Sequence, residues 1–174
     1  KLEGGHNIVL KISSMEVVNK KYWEYSLEPN YQLNENDWSD QIYCLLDRSV
    51  KKRLVADVPV GIFLSGGLDS SIISMLAQKN SKNKINTFSI NFNETSFDES
   101  KYANYISKKI NTTHYSKSIN PQNIESIWKE FFEKIDEPIS DSSLLSYYSL
   151  CKFSRTKVKV ALGGDAADEL IAGY

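Results

Sequence analysis

The segment Val58-Pro59-Val60-Gly61-Ile62-Phe63-Leu64, closed by Ser65-Gly66-Gly67, constrains the fold of this chain more than any other. A short, nearly continuous apolar run is what a strand covered on both faces requires, and glycines at its end stop it. The pattern then alternates: helix from Ser70 to Asn80, strand from Ile85 to Phe92, helix from Asp98 to Ile110, strand from Thr112 to Ile119. Alternation of this kind predicts an α/β domain with a parallel sheet and helices on both faces. Asn120-Pro121 opens a helix to about Ile135, because Asn caps well and Pro is tolerated at the first helical position. After the loop Asp136-Glu137-Pro138 come a helix from Ser143 to Ser154, a strand from Lys157 to Leu162, and Gly163-Gly164-Asp165 at the start of a last helix.

Ahead of this domain, Asn7 to Ser14 and Glu16 to Trp23 alternate apolar and polar side chains around a turn near Met15, which reads as a β-hairpin. Pro29 and several Asn mark a linker. Asn36 is placed to cap a helix from Asp37 to about Val55, with Trp38, Ile42, Leu45, Leu46, Val50 and Leu54 forming one buried face. The expected organisation is therefore a hairpin over 1–25, a linker over 26–36 and the α/β domain over 37–174.

Composition narrows the function classes. With 174 residues, 41% hydrophobic, the chain has enough for one ordinary core and too little for two. Its 21 basic and 22 acidic residues give a net charge of -1, so no field draws it to nucleic acid or an anionic membrane. Its apolar runs are far shorter than the ~20 residues of a membrane span. The start Lys1-Leu2-Glu3-Gly4-Gly5 lacks the layout of a signal peptide and lacks an initiator Met, so it reads as a cut. Two scattered cysteines, Cys44 and Cys151, suit a reducing cytoplasm and are expected in the core.

The turn Ser65-Gly66-Gly67-Leu68-Asp69-Ser70-Ser71 joins the strongest strand to a helix. Two glycines let the backbone turn sharply and approach a ligand closely. Successive amides then converge on an anion, aided by the free donors and partial positive charge of the helix start, with Ser65, Ser70 and Ser71 hydroxyls as further donors. No Lys stands where a Walker loop needs one, which disfavours a P-loop NTPase. Asp69 would repel phosphate unless a cation lies between them, and Mg²⁺ is the natural mediator. The simpler alternative is a tight turn with a capping acid. Its position at the carboxyl end of a sheet strand, where open α/β sheets bind ligands, favours the nucleotide reading.

A second turn, Gly163-Gly164-Asp165-Ala166-Ala167-Asp168-Glu169, repeats the arrangement. Acids in a first helical turn complement the dipole, which accounts for one or two of them. If both turns lie at strand ends of one sheet, Asp69 and Asp168 can share Mg²⁺ on a nucleotide's phosphates.

Together the two turns resemble those of the asparagine synthetase (glutamine-hydrolysing) family, whose synthetase domain belongs to the ATP-pyrophosphatase, or PP-loop, group of adenine nucleotide alpha hydrolase-like folds. Ser65 to Ser71 resembles the pyrophosphate loop, Thr87-Phe88-Ser89-Ile90 the strand beside the adenine, and Phe97-Asp98-Glu99-Ser100 with Ala103 and His114 the next helix and strand. Gly163 to Gly173-Tyr174 resembles the second acidic motif. The hairpin with Gly4-Gly5-His6 and Tyr22-Trp23 looks like the tail of the family's glutaminase domain, a partner in the same parent chain. The resemblance implies adenylation of a carboxylate by ATP, release of pyrophosphate, and displacement of AMP by ammonia. It places Leu64 and Ile90 beside the adenine, Ser65, Gly66, Gly67, Ser70, Ser71, Gly163 and Gly164 around the phosphates, Mg²⁺ on Asp69 and Asp168, and Asp165 near the reacting carboxylate.

Departures from the family pattern are as informative. The glutaminase Cys nucleophile has no counterpart, and neither Cys44 nor Cys151 inherits its role. A catalytic Lys of the family lies beyond Tyr174. The segment Asp136 to Ser142 holds Asp where asparagine makers carry Arg, which leaves aspartate, a sugar acid or a β-lactam precursor as acceptors. A nucleotide-binding module without catalysis is the alternative of another class. His6 and His114 lack neighbours at metal-ligand spacing and read as structural, Lys51-Lys52-Arg53 ends a helix, and Trp128, Phe131 and Phe132 are expected to fill the core.

Overall fold

The computed structural model describes residues 2–92, 99–119, 124–137, 139–141, 143–171 and 173. The expected starts of the helices at Asp98 and at Asn120-Pro121, like Phe97 and Tyr174 of the family motifs, lie outside the described residues. The chain divides by packing into residues 1–39 and 40–174.

In the first unit, β1 (His6–Lys11) and β2 (Glu16–Lys21) pair antiparallel from His6 opposite Lys21 to Lys11 opposite Glu16. Met15 turns the chain with φ 54°, as the expected turn near it requires. Cross-strand partners share a face, so Val9 meets Val18 on one side and Leu10 meets Val17 on the other. Both faces of this ribbon thus carry apolar side chains.

The helix α1 (Glu35–Arg53) begins with a reciprocal cap. The Asp37 amide donates to the Asn34 side-chain oxygen at 3.0 Å, and the Asn34 amide donates to the Asp37 carboxylate at 3.3 Å. The cap is therefore Asn34, not Asn36, because only a spacing of three residues closes such a box.

The second unit holds β3 (Val60–Phe63), α2 (Leu68–Asn80), β4 (Asn86–Phe92), α3 (Ser100–Ile110), β5 (Thr113–Ile119), α4 (Ile124–Phe132), α5 (Leu144–Ser154), β6 (Val160–Leu162) and α6 (Ala167–Ile171). The sheet order is β5-β4-β3-β6, with every pairing parallel. Right-handed crossovers put the helices that lead toward β5 on one face and those that return to β6 on the other. Side chains agree with this. Ile62 packs in one cluster with Val50 of α1 and Leu76 and Ala77 of α2. On the opposite face Phe63 meets Tyr147 of α5 edge-on at 5.6 Å, and Phe88 meets Phe153 at 5.9 Å.

Three packing expectations need correction. Leu46, Val50 and Leu54 pack onto the core, but Trp38, Ile42 and Leu45 stay exposed. The buried stripe runs at i, i+4, i+8 from Leu46; Leu45 lies one position round the helix, while Ile42 and Trp38 lie one and two turns before the stripe begins. Cys44 falls off the same stripe and is exposed, while Cys151 is half-buried. Phe131 is buried against Tyr148 at 5.6 Å, whereas Phe132 is exposed and stacks on the half-buried Trp128. The strand expected from Lys157 starts at Val160, because the amides of Lys157 and Val158 both close the end of α5 on the Ser154 carbonyl. Among the described residues, no helix is long and apolar enough to cross a membrane.

Candidate active site

β3 and β6 are adjacent parallel strands, and each ends in a glycine turn at its carboxyl end. Inside the first turn a chain of hydrogen bonds fixes the loop. The Gly67 amide donates to Ser65 Oγ at 3.2 Å, Ser65 Oγ lies 2.9 Å from Ser70 Oγ, and Ser70 Oγ donates to the Gly67 carbonyl at 3.2 Å. The Ser65 amide closes the ring on Ser70 Oγ at 3.3 Å. Ser70, which is buried, therefore acts as the hub of the loop through its hydroxyl. Gly67 is the N-cap of α2, and no side chain caps that helix. Its first amides remain available to an anion, at the positive end of the helix dipole.

The second turn presses against the first. A Cβ on Gly164 would lie 3.0 Å from the Ser70 amide nitrogen and 3.1 Å from Asp69 Cβ. Hydrogen in that place is what lets the two loops touch. Ala166 follows with φ 68°, in the left-handed region, and turns the backbone into α6.

Between the loops lies a cavity of about 510 Å³. It brings together Leu64, Ser65, Gly67, Asp69, Ser70, Ile90, Gly163, Gly164, Asp165 and Asp168, all singled out from the sequence. Gly66 and Ser71 are not in its lining. Gly66 packs against the backbone of α3, and the Ser71 hydroxyl is buried without a hydrogen-bond partner among the described residues. Reading by motif quoted Glu99 only at the start of the next helix, with no role in the site, and missed the face of α5. That face presents Ser143, Ser146, Tyr147 and Leu150 to the cavity, at the i, i+3, i+4, i+7 spacing of one helix stripe. The spacing was visible in the sequence, but nothing local says toward which end of the sheet it points.

The electrostatics are one-sided. Asp69, Glu99, Asp165, Asp168 and Glu169 line the cavity, and among the described residues no Lys, Arg or His does. Partial burial, with the negative charge of Asp165 nearby, holds the Tyr147 phenol above its ordinary value. Burial, with Asp165 nearby, also pushes the Cys151 thiol up. Asp141, which stands in the segment where the family pattern has Arg, is absent from the lining. It accepts the Ser143 amide and hydroxyl, both at 2.8 Å, ahead of α5, and these bonds hold its carboxyl below the usual range.

The donor set fits magnesium: oxygen ligands only, with carboxylates on both loops. Among the described residues no three His, Cys, Asp or Glu side chains close on one point. An ion held by one or two carboxylates, waters and substrate phosphates needs no such cage.

Behind the lining, His114 bridges two residues of β4, with Nδ1 2.9 Å from Thr87 Oγ1 and Nε2 3.2 Å from Ser89 Oγ. Burial lowers its pKa from 6.5. The unfolded chain then binds the proton first, so His114 costs nothing above about pH 6.5 and destabilises the fold as pH falls below it. Melting curves of the protein and of His114→Gln between pH 5 and 8 should diverge only on the acid side.

The model of the family described as asparagine synthase matches residues 41–174, three quarters of the chain and both loops. This chain belongs to the asparagine synthase family. A relative in Methanocaldococcus jannaschii is 33% identical over 177 residues, covering all of this chain and 34% of its own length. Asparagine synthetase (glutamine-hydrolysing) 1 of Bacillus subtilis is 30% identical over 174 residues, covering all of this chain and 27% of its own. The chain thus spans about a third or less of the curated relatives it matches. Among solved structures, the NH3-dependent NAD synthetase of Campylobacter jejuni superposes with a TM-score of 0.51 at 19% identity, covering 78% of this chain and 60% of that one. That likeness bears on the fold alone, a parallel sheet flanked by helices.

Proposed function

We propose that this chain carries the nucleotide half of an ATP-dependent amide synthetase, which adenylates aspartate to β-aspartyl-AMP and pyrophosphate and then aminates it to asparagine with glutamine-derived ammonia. The observation that carries the reading is the contact of Gly164 with Asp69 and Ser70, which joins two glycine turns and an uncapped helix start around one acidic cavity. In this scheme the substrate carboxylate attacks the α-phosphorus of ATP and pyrophosphate leaves. The amides of the Ser65 to Ser71 loop hold that leaving group, Leu64 and Ile90 flank the adenine, and Asp165 stands near the acceptor carboxylate. Asp69 and Asp168 would hold Mg²⁺, which supplies neutralisation of phosphate charge. The chain's own contribution to rate is positioning of the two reactants. The ammonia would come from a glutaminase domain of the same parent chain.

The acidic lining makes a sharp test possible, because bare ATP has no cation to meet there. Calorimetric titration of the full-length protein should show binding of Mg-ATP and none of ATP with EDTA. In Asp69→Ala, Mg-ATP affinity should drop at least about 100-fold, beyond what removal of an outer partner of a metal ligand costs. Equal binding by both proteins would remove Asp69 from the mechanism.

One observation favours a second acceptor within the same chemistry. A dicarboxylate finds no Lys, Arg or His in the described lining, and Asp141 is occupied by the Ser143 amide and hydroxyl. A sugar acid or β-lactam precursor is the alternative acceptor. Product analysis with L-aspartate separates the two: amidation of another acid without asparagine excludes the first. Tight ATP binding with neither AMP nor pyrophosphate formed would leave a non-catalytic nucleotide module.

A further inference from the structure

The cavity meets one end of a buried polar chain that the proposed chemistry leaves unused. Ser89 of β4 lines the cavity and is 5% exposed. Thr87 and Ser89 share one face of β4, and His114 of β5 is paired with Thr87. The contacts run on without a break. Ser89 Oγ lies 3.2 Å from His114 Nε2, His114 Nδ1 2.9 Å from Thr87 Oγ1, Thr87 Oγ1 3.2 Å from Thr112 Oγ1, and Thr112 Oγ1 2.9 Å from Ser107 Oγ. Each hydroxyl has one proton to give, and a neutral imidazole donates from one nitrogen and accepts at the other. Burial keeps this imidazole neutral at pH 8. The far end of the chain sets its direction. Thr112 Oγ1 is the donor to Ser107, to its hydroxyl at 2.9 Å and toward its carbonyl at 3.5 Å. With that proton committed, Thr87 must donate to Thr112, His114 must donate to Thr87 from Nδ1, and Nε2 must accept from Ser89. Asn91 Oδ1, 3.5 Å from Ser89 Oγ, is too distant to compete for the Ser89 proton.

We infer that Ser89 is a specificity-determining residue for the base: its hydroxyl, with the proton turned toward His114, meets the cavity as an acceptor only and selects a purine that carries a 6-amino group. The placement rests on the proposed function, which puts Leu64 and Ile90 beside the adenine. Ser89 precedes Ile90 in the chain. The register that sets Phe63 opposite Phe88 continues to set Leu64 opposite Ser89, and the Leu64 amide donates to the Phe88 carbonyl at 2.9 Å. An amino group offers the Ser89 lone pairs a proton. A 6-keto purine brings a second acceptor, and two acceptors facing each other away from water leave both unpaired. His114 acts through Ser89 as a positioning residue, because it draws the proton away from the cavity.

Two measurements on the full-length protein at pH 8 test this. Calorimetry compares Mg-ATP with the magnesium complexes of purine riboside triphosphate, which lacks the amino group, and of inosine triphosphate, which has oxygen in its place. The parent should bind purine riboside triphosphate about tenfold and inosine triphosphate about 100-fold more weakly than ATP, the scale of one lost hydrogen bond and of an unpaired buried group. In Ser89→Ala, ATP affinity should fall about tenfold, that for purine riboside triphosphate should stay within about twofold, and inosine triphosphate should bind more tightly than it does to the parent. A merely structural defect weakens all three nucleotides by one factor. That result, or unchanged affinities for all three, overturns the inference. The second measurement needs no nucleotide. Nitrogen-15 shifts of the His114 imidazole, assigned by their loss in His114→Gln, should place the proton on Nδ1. A proton on Nε2 would reverse the chain and overturn the inference as well. Should the parent bind none of the three nucleotides, the nucleotide reading itself fails, and the position of the imidazole proton alone decides whether Ser89 is an acceptor.

Discussion

Gly66→Ala is expected to cost this protein much of its stability. Gly66 stands at φ 96°, where any side chain is strained by about 1–3 kcal/mol. A Cβ there would also lie 2.5 Å from Tyr102 Cβ, 2.6 Å from the Ala103 nitrogen and 2.7 Å from the Tyr102 carbonyl carbon. These atoms are backbone and Cβ atoms of α3, at a turn where Ala103 is fully buried, so no flexible tip can swing aside. Overpacking of this kind adds about 1–3 kcal/mol. The sum is a large part of the ~5–15 kcal/mol by which a domain is stable. Gly67→Ala is the control, since its Cβ meets only Ser65 Oγ at 3.4 Å and its φ of -66° suits any residue. Urea denaturation of the two variants should show a large drop for Gly66→Ala and a small one for Gly67→Ala. Similar midpoints would show that the loop does not bear on α3 as described.

Gly164→Val should act on the site more than on the fold. The nearest atoms are the Ser70 amide nitrogen at 3.0 Å, Asp69 Cβ at 3.1 Å and the Asp69 carbonyl carbon at 3.2 Å. An alanine requires these neighbours to give by a few tenths of an ångström. Valine adds two methyl groups against the first turn of α2, which is tied down by the Ser70 hydroxyl. The loops must separate. A displacement of about 1 Å can cost about 100-fold in a positioned reaction, and a loss of Mg-ATP affinity on that order is expected for Val, with about tenfold for Ala. Calorimetry checks it. Unchanged affinity in Gly164→Val would mean that the second loop is no part of the nucleotide site.

Much of this architecture was legible because its signals are local. The apolar run ending at Leu64, the helix after Gly67 and the strand before Gly163 each announce themselves within a few residues, and the elements fall where the alternation put them. The Asn34 box escaped because two Asn residues compete two positions apart, and only the partner three residues on, Asp37, decides between them. Burial of Ile42 or Phe132 was illegible for a different reason. Periodicity names a face, whereas exposure depends on whether a neighbouring element reaches that far along the helix. The edge-on packing of Tyr147 on Phe63 lies further out of reach, because it joins a helix and a strand far apart in the sequence. The hub role of the Ser70 hydroxyl was likewise hidden, since a Ser at a helix start reads equally well as a free donor.

The pairing of β3 with β6, Val60 beside Val160, has a consequence for how the protein comes into being. On a ribosome, β3, β4 and β5 emerge in the order in which they lie side by side, so this part of the sheet can zip up as it is made. The strand that carries the second loop arrives about a hundred residues later and must add to an edge that has waited for it. Distant parallel pairing of this sort is slow and leaves an open strand edge in the meantime. The cavity between the two loops therefore closes only after β6 has joined β3, and a chain stalled between β5 and β6 would display a half-sheet with an exposed β3 edge.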